Sequence, residues 1–274
     1  MLTRLILIGN YGSNNKTAAK SPGLKFPVYI EIGSARLLVH VVFEMLAFFI
    51  GFRYFLWLRK KQGDTIKAPN RTWIIIGAIL GALVGSRLIG GLEDPTQIKK
   101  ADNLFFYFYQ NKTVLGGFLG GLTGVEFVKK IIREKNASGD LFVDPIILAL
   151  IIGRIGCFSM GVYEETYGTI TTLPWAMNLG DGLLRHPVAL YEIVFLLTLW
   201  ICLRLTQKKF SLEQGAVFKL FLIAYLGFRF LLDFIKPHFT FDIGLSTIQL
   251  TCVAGLLYYL PYVIQPKKLL ASYA

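Results

Sequence analysis

Among the ionisable side chains that interrupt otherwise apolar stretches of this sequence, eight are informative: Glu44, Arg53, Arg87, Arg154, Glu192, Lys219, Arg229 and Asp233. A charge at the centre of a membrane-spanning helix costs about 2.5–3.5 kcal/mol on insertion scales, so Arg87, Arg154 and Arg229, if unpaired, would together cost about 8–10 kcal/mol. A pure scaffold gains little from that arrangement, whereas a polar chamber that holds an anion needs it. Arginine is the side chain suited to phosphate: planar, always charged and able to donate two parallel hydrogen bonds. A bland reading covers part of the set. Lys219 and Arg53 stand near the ends of their stretches and can snorkel to the surface. Arg229 and Asp233, four apart on one helix face, can pair with each other. Arg87, Arg154 and Arg229, on three different stretches, remain as a candidate grip on one phosphodiester.

The elements that carry these residues read as membrane helices. Of 274 residues, 54% are hydrophobic and 17% charged, against about 25% charged in soluble domains. A bilayer core asks for about 20 consecutive, mostly apolar residues per helix. Seven stretches meet that need: Leu37–Leu58, Trp73–Leu92, Thr113–Ile132, Leu141–Met160, His186–Leu203, Ala216–Ile235 and Gly244–Val263. The third is the weakest, being rich in glycine and ending in charge; the seventh is the cleanest, with no charge. The expected fold class is all-α: a polytopic membrane bundle of about seven helices with small periplasmic interfacial segments. Residues 1–36 form an N-terminal segment, 37–263 the helical domain and 264–274 a tail. Met1–Gly9 is apolar with one arginine but leads to no long apolar core or small-residue cleavage site, so no signal peptide is expected.

Charge in the connections sets the expected orientation. Connections after the first, third, fifth and seventh stretches, together with Lys129 and Lys130 at the end of the third stretch, hold 14 basic residues and the other three hold 5, which places the richer set in the cytoplasm, the C-terminus inside and the N-terminus periplasmic. Arg87, Arg154, His186, Tyr191, Glu192, Arg229 and Asp233 then all fall in the outer half of the bilayer, a convergence that played no part in choosing the orientation. The net charge of +12 is read as a topology signal and an attraction to anionic membrane lipids, not as a nucleic-acid surface. Cys157, Cys202 and Cys252 lie in apolar stretches without a C-x-x-C pair, so neither a disulfide framework nor a zinc site is expected. Two outer segments exceed tight turns. Asp94–Asn111 contains the aromatic run Leu104–Tyr109, suited to the interface, and Gly161–Arg185 is long enough for a small cap.

Glycines recur at spacing four: Gly77, Gly81 and Gly85 in the second stretch, Gly116, Gly120 and Gly124 in the third, with Gly117 and Gly121 beside them. Small residues so spaced let helix backbones approach closely. The alternative is a bare face against which a lipid head group lies.

The same residues carry a family likeness. Gly153-Arg-Ile-Gly-Cys-Phe-Ser-Met-Gly161 resembles the Gly-Arg-x-Gly-Asn-Phe-x-Asn-Gly signature of bacterial prolipoprotein diacylglyceryl transferases. Arg185-His-Pro-Val-Ala-Leu-Tyr-Glu192 is similar to their Arg-His-Pro-x-Gln-Leu-Tyr-Glu run. Tyr225-Leu-Gly-Phe-Arg229 with Asp233 resembles their Tyr-x-x-x-Arg-x-x-x-Glu helix. Gly85-Ser-Arg87 and Leu115-Gly-Gly-Phe-Leu-Gly120 resemble two further motifs, and order holds from about Ile32 to Val263. The resemblance implies transfer of the diacylglyceryl group of phosphatidylglycerol to the lipobox cysteine of a prolipoprotein signal peptide, with release of glycerol phosphate, at the bacterial inner membrane. It implies that Arg154 and Arg229 hold the phosphate, that Glu192, Asp233, Tyr191 and Tyr225 orient them or meet the glycerol head group, and that Arg87 is a further lipid contact. Gly116, Gly117, Gly156 and His186 join the expected substrate-binding set. No cofactor and no metal are implied. Where the family motifs have His, Asn and Asn, this chain has Leu115, Cys157 and Met160, and Val39-His-Val-Val-Phe-Glu44 replaces a His-x-Tyr-Gly run. Glu44 is then a candidate general base, as is His186, although before Pro187 the latter also suits a helix cap. The alternative function is a phosphatidylglycerol-binding membrane protein, or another lipid-modifying enzyme on this scaffold.

Overall fold

Long apolar stretches separated by glycine, proline and charge fold as helices wherever the breaks allow. The computed structural model describes residues 25–33 and 35–271. A hairpin of β1 (Tyr29–Ile32) and β2 (Ala35–Leu38) leads into α1 (Val39–Gln62), which closes at Gly63, φ 80°. Arg59, Lys60 and Lys61 occupy its last turn, where cations meet the negative end of the helix dipole. There follow α2 (Ala68–Gly91), short α3 (Pro95–Ile98) and α4 (Leu104–Gln110), α5 (Val114–Ile132) and α6 (Asp140–Met160). After a cap with the two-residue strands β3 (Met177–Asn178) and β4 (Leu184–Arg185) come α7 (Val188–Lys209), α8 (Ala216–Asp233), α9 (Thr247–Tyr258) and α10 (Leu260–Ile264).

Four helices among the described residues, α1, α2, α6 (continued to Tyr163) and α7, are long and apolar enough to cross a membrane. Their outward faces are apolar: Met45, Phe48, Phe49, Ile79, Val84, Val194 and Ile201 are each more than 60% exposed. An apolar surface of that extent is what lipid, not water, accommodates. The chain is a helical membrane protein.

The two tightest helix pairs are α2 with α5 and α1 with α6. A methyl group added at Gly81 would strike the carbonyl of Gly120, one at Gly120 the carbonyl of Gly81, and Gly77 and Gly124 oppose each other in the same way. The glycine faces are therefore filled by backbone. The core lies between α5, α6, α7, α8 and α9, around Leu115, Ile147, Leu196, Phe221, Leu222, Tyr225, Leu226 and Cys252.

Several expectations shift. The seventh stretch is not one clean helix. It divides into α9 and α10 at Tyr259, two residues before Pro261, which lacks the N–H that a continuing helix requires. The weakest stretch is an unbroken helix, α5. Arg71, counted as a loop charge, lies in the first turn of α2 and is 2% exposed: it makes a bidentate pair with Asp64 and donates to the Ser138 carbonyl. Arg53 stands nine residues before the end of α1, exposed on its outer face. Residues 1–24 of the N-terminal segment lie outside the described residues.

Candidate functional site

Ser86 holds the start of α5 through the Thr113 carbonyl, Thr247 at the start of α9 donates to the carbonyl of Leu92, and Ser246 bonds Asp233 at the end of α8. These contacts gather the ends of α2 and α8 and the starts of α5 and α9 at one end of the bundle.

Here three helices deliver the expected charges to one point. Glu192, on the first turns of α7 and 1% exposed, places its carboxylate between two arginines. Arg154 Nε on α6 lies 2.9 Å from Glu192 Oε1, and Arg229 Nη1 on α8 donates to Oε2 at 3.0 Å. Tyr225, one helical turn before Arg229, donates its hydroxyl to Oε1 at 2.8 Å. Arg229 thus pairs across helices with Glu192, while its neighbour Asp233 engages Ser246 and lies 3.6 Å from His238. Two guanidiniums share the one carboxylate of Glu192 in a dry setting, where electrostatic attraction for an anion is strongest. Arg229 Nε is buried without a hydrogen-bond partner among the described residues, and a buried donor left unsatisfied costs about 1–3 kcal/mol. A ligand oxygen would remove that cost.

Two groups on the rim of this cluster were missed by sequence reasoning. Glu93 follows α2 and Lys236 follows α8. Burial pushes the Glu93 carboxyl up from its ordinary value against the pull of Lys236 and Arg229. Burial also pushes the Lys236 ammonium down, and the charge of Arg229 pushes it further. Each lies just outside an apolar stretch, so nothing in composition marks it.

The other expected residues divide. Arg87 packs its guanidinium over the Tyr109 ring at 4.9 Å, apart from the Glu192 cluster. Tyr191 accepts from Trp175 Nε1 at 2.7 Å and lies 3.1 Å from His186 Nδ1. His186 therefore does not cap α7, whose N-cap, Pro187, has no side-chain bond. Glu44, the candidate base, forms an ion pair with Lys112 at 2.5 Å. Gly116 and Gly156 are packing positions here: an added methyl would meet the backbone of Gly85 at the first and of His40 at the second. Gly117 has only Ser86 and Ala82 beyond 3.7 Å. Leu115, at the motif histidine position, is fully buried in the core.

Fold and site together define a polytopic helical membrane protein with two buried arginines from separate helices sharing one carboxylate at one end of its bundle. The comparisons narrow this. The sequence matches the family described as prolipoprotein diacylglyceryl transferase over residues 27–265. The phosphatidylglycerol–prolipoprotein diacylglyceryl transferase of Vibrio campbellii is 32% identical over 228 residues, 77% of this chain and 78% of that one. The proteins of the same name from Pseudoalteromonas translucida and Cupriavidus metallidurans are each 30% identical, over 78% and 82% of this chain and 82% and 85% of theirs. The chain belongs to the prolipoprotein diacylglyceryl transferase family.

Proposed function

We propose that this chain is a phosphatidylglycerol–prolipoprotein diacylglyceryl transferase: it moves the diacylglyceryl group of phosphatidylglycerol onto the lipobox cysteine thiol of a prolipoprotein and releases glycerol phosphate. One observation carries the reading: Arg154 and Arg229, from separate helices, converge on Glu192, and Arg229 Nε is buried without a hydrogen-bond partner among the described residues. A phosphodiester oxygen would accept from that donor. As the bond between glyceryl carbon and phosphate oxygen breaks, a second negative charge develops on the phosphate. Fixed guanidiniums aimed at that developing charge lower the barrier. Glu192 and Tyr225 hold the guanidiniums in place, Tyr191, His186, Gly117 and Asp233 complete the surroundings of the head group, and Arg87, apart from them, is a further contact for anionic lipid.

The membrane arrangement belongs to the same proposal. Seven helices cross the inner membrane within residues 37–263, with residues 1–36 periplasmic and 264–274 cytoplasmic. The Glu192 cluster then faces the periplasmic leaflet, where exported prolipoproteins arrive. The second reading, a phosphatidylglycerol-binding protein without transfer activity, is favoured by Leu115, which supplies no proton acceptor.

Complementation of a transferase-depleted bacterial strain separates the two. The wild-type chain is expected to restore lipoprotein modification and growth, and Arg154→Ala and Arg229→Ala to abolish both. Rescue that survives both substitutions removes the phosphate grip; lipid binding without rescue leaves the second reading.

A further inference from the structure

A second cluster adjoins the arginines. His40, in the first turn of α1, lies with Nδ1 3.4 Å from Glu164 Oε2 and Nε2 3.7 Å from Glu44 Oε2. His40 Nδ1 and Glu164 Oε2 are buried, and neither makes a hydrogen bond among the described residues. Cys157 Sγ lies within 4.8 Å of both and accepts from Arg154 Nη1 at 3.5 Å. The imidazole is thus one side chain away from the phosphate grip. Its backbone is fixed by close packing of α1 on α6, since a methyl group at Gly156 would sit 3.2 Å from the His40 carbonyl.

The transfer proposed above needs a proton acceptor, because a cysteine thiol is only a few per cent thiolate at pH 7. Resting on that reading, we infer that His40 is a catalytic residue, the group that takes the proton of the acceptor thiol. Imidazole is the side chain that accepts and returns protons near neutral pH. In the step, the S–H proton passes to an imidazole nitrogen and the sulfur electron pair forms a bond to the glyceryl carbon. The bond from that carbon to the phosphate oxygen breaks, its pair stays on oxygen, and glycerol phosphate leaves with one more negative charge. The charge gained at His40 balances the charge gained by the leaving group, which Arg154 and Arg229 receive. Glu44 and Glu164 flank the imidazolium and stabilise it. The other charged or titratable groups facing it are Lys112, paired with Glu44, and Cys157 and Arg154 on α6. A divalent cation on His40, Cys157 and Glu164 is the competing use of these atoms, but the Arg154 guanidinium beside Cys157 opposes a second cation there.

The test uses the full chain in phosphatidylglycerol nanodiscs with a synthetic lipobox peptide. Wild-type transfer is expected to rise with pH as the imidazole loses its proton. His40→Gln is expected to bind phosphatidylglycerol as wild type does, to lose about 100-fold or more in turnover at neutral pH, to lack that inflection, and to recover partly at high pH, where solvent supplies thiolate. Glu164→Gln is expected to keep the inflection and to lower turnover at neutral pH, since it removes a negative charge that stabilises the imidazolium. Wild-type turnover and pH profile in His40→Gln overturn the inference, as does inactivation of the wild type by a chelator that zinc reverses. Turnover unchanged in Glu164→Gln removes the carboxylate's part. A wild-type protein that transfers nothing in this assay refutes the transfer reading itself, and the inference with it.

Discussion

Glu192 is the residue on which the site turns, because its carboxylate serves Arg154, Arg229 and Tyr225 at once. Breaking a buried ion pair by removing one partner typically costs about 3–5 kcal/mol, since the other charge is left uncompensated. Glu192→Gln is therefore expected to lower the unfolding midpoint in detergent by far more than a surface carboxylate substitution does; an unchanged midpoint would mean the arginines find other partners. Arg154→Lys keeps the charge but loses the planar fork. Its expected effect is a fall in turnover of about 100-fold or more, the scale of losing one donor to a developing oxyanion, with phosphatidylglycerol still bound. Arg154, Glu192, Tyr225 and Arg229 were legible because polar groups in apolar stretches are costly and so informative. His40 and Glu164 were not: they meet only when the start of α1 packs beside the end of α6 and the cap beyond it.

At the scale of elements, glycine pattern and glycine role agree. Gly77, Gly81 and Gly85 face Gly116, Gly120 and Gly124, and each would place an added carbon into the opposite helix. Gly81→Val is expected to separate α2 from α5 and cost on the order of 3 kcal/mol, the upper range for overpacking, because the obstructing atom is a backbone carbonyl. Gly227, inside α8 with open space around its Cα, is the contrast: Gly227→Ala is expected to stabilise by about 0.4–1 kcal/mol. Thermal unfolding in detergent measures both. Helix boundaries were less legible. Leu203 looked like an end, yet α7 runs to Lys209, since long charged side chains continue a helix into the interface. Pro261 was passed over within an apolar run and proved to be a break.

Across the whole molecule, the end opposite the arginine cluster has its own fastening. Asp64, between α1 and α2, accepts from Arg71 at 2.8 and 2.5 Å and from Arg59 at 3.0 Å, while Arg71 reaches the Ser138 carbonyl ahead of α6. Burial raises the Asp64 carboxyl, but the Arg71 hydrogen bonds, the Ile66 amide and the two arginine charges outweigh it and hold the group below its ordinary value. A carboxylate lowered in the folded state stabilises above its unfolded pKa, about 3.9, and that contribution is lost as pH falls through the lower folded value. The unfolding midpoint in detergent is expected to drop below about pH 4, and Asp64→Asn to lower it at neutral pH while flattening that acid limb. An acid limb unchanged in Asp64→Asn would assign it to other carboxylates.

Taken alone, the order of residues determined the class of protein, the helical stretches apart from their exact ends, the glycine seams and the charges that meet at Glu192. Those are local consequences of hydrophobicity and of the cost of charge in an apolar helix. Only the tertiary structure decided which partner each charge takes. Arg229 had Asp233 four residues away yet pairs with Glu192 on another helix, and His40 finds Glu164, 124 positions along the chain. Pairing follows from which helix ends the packing brings within 4 Å, and no spacing in the chain encodes that distance.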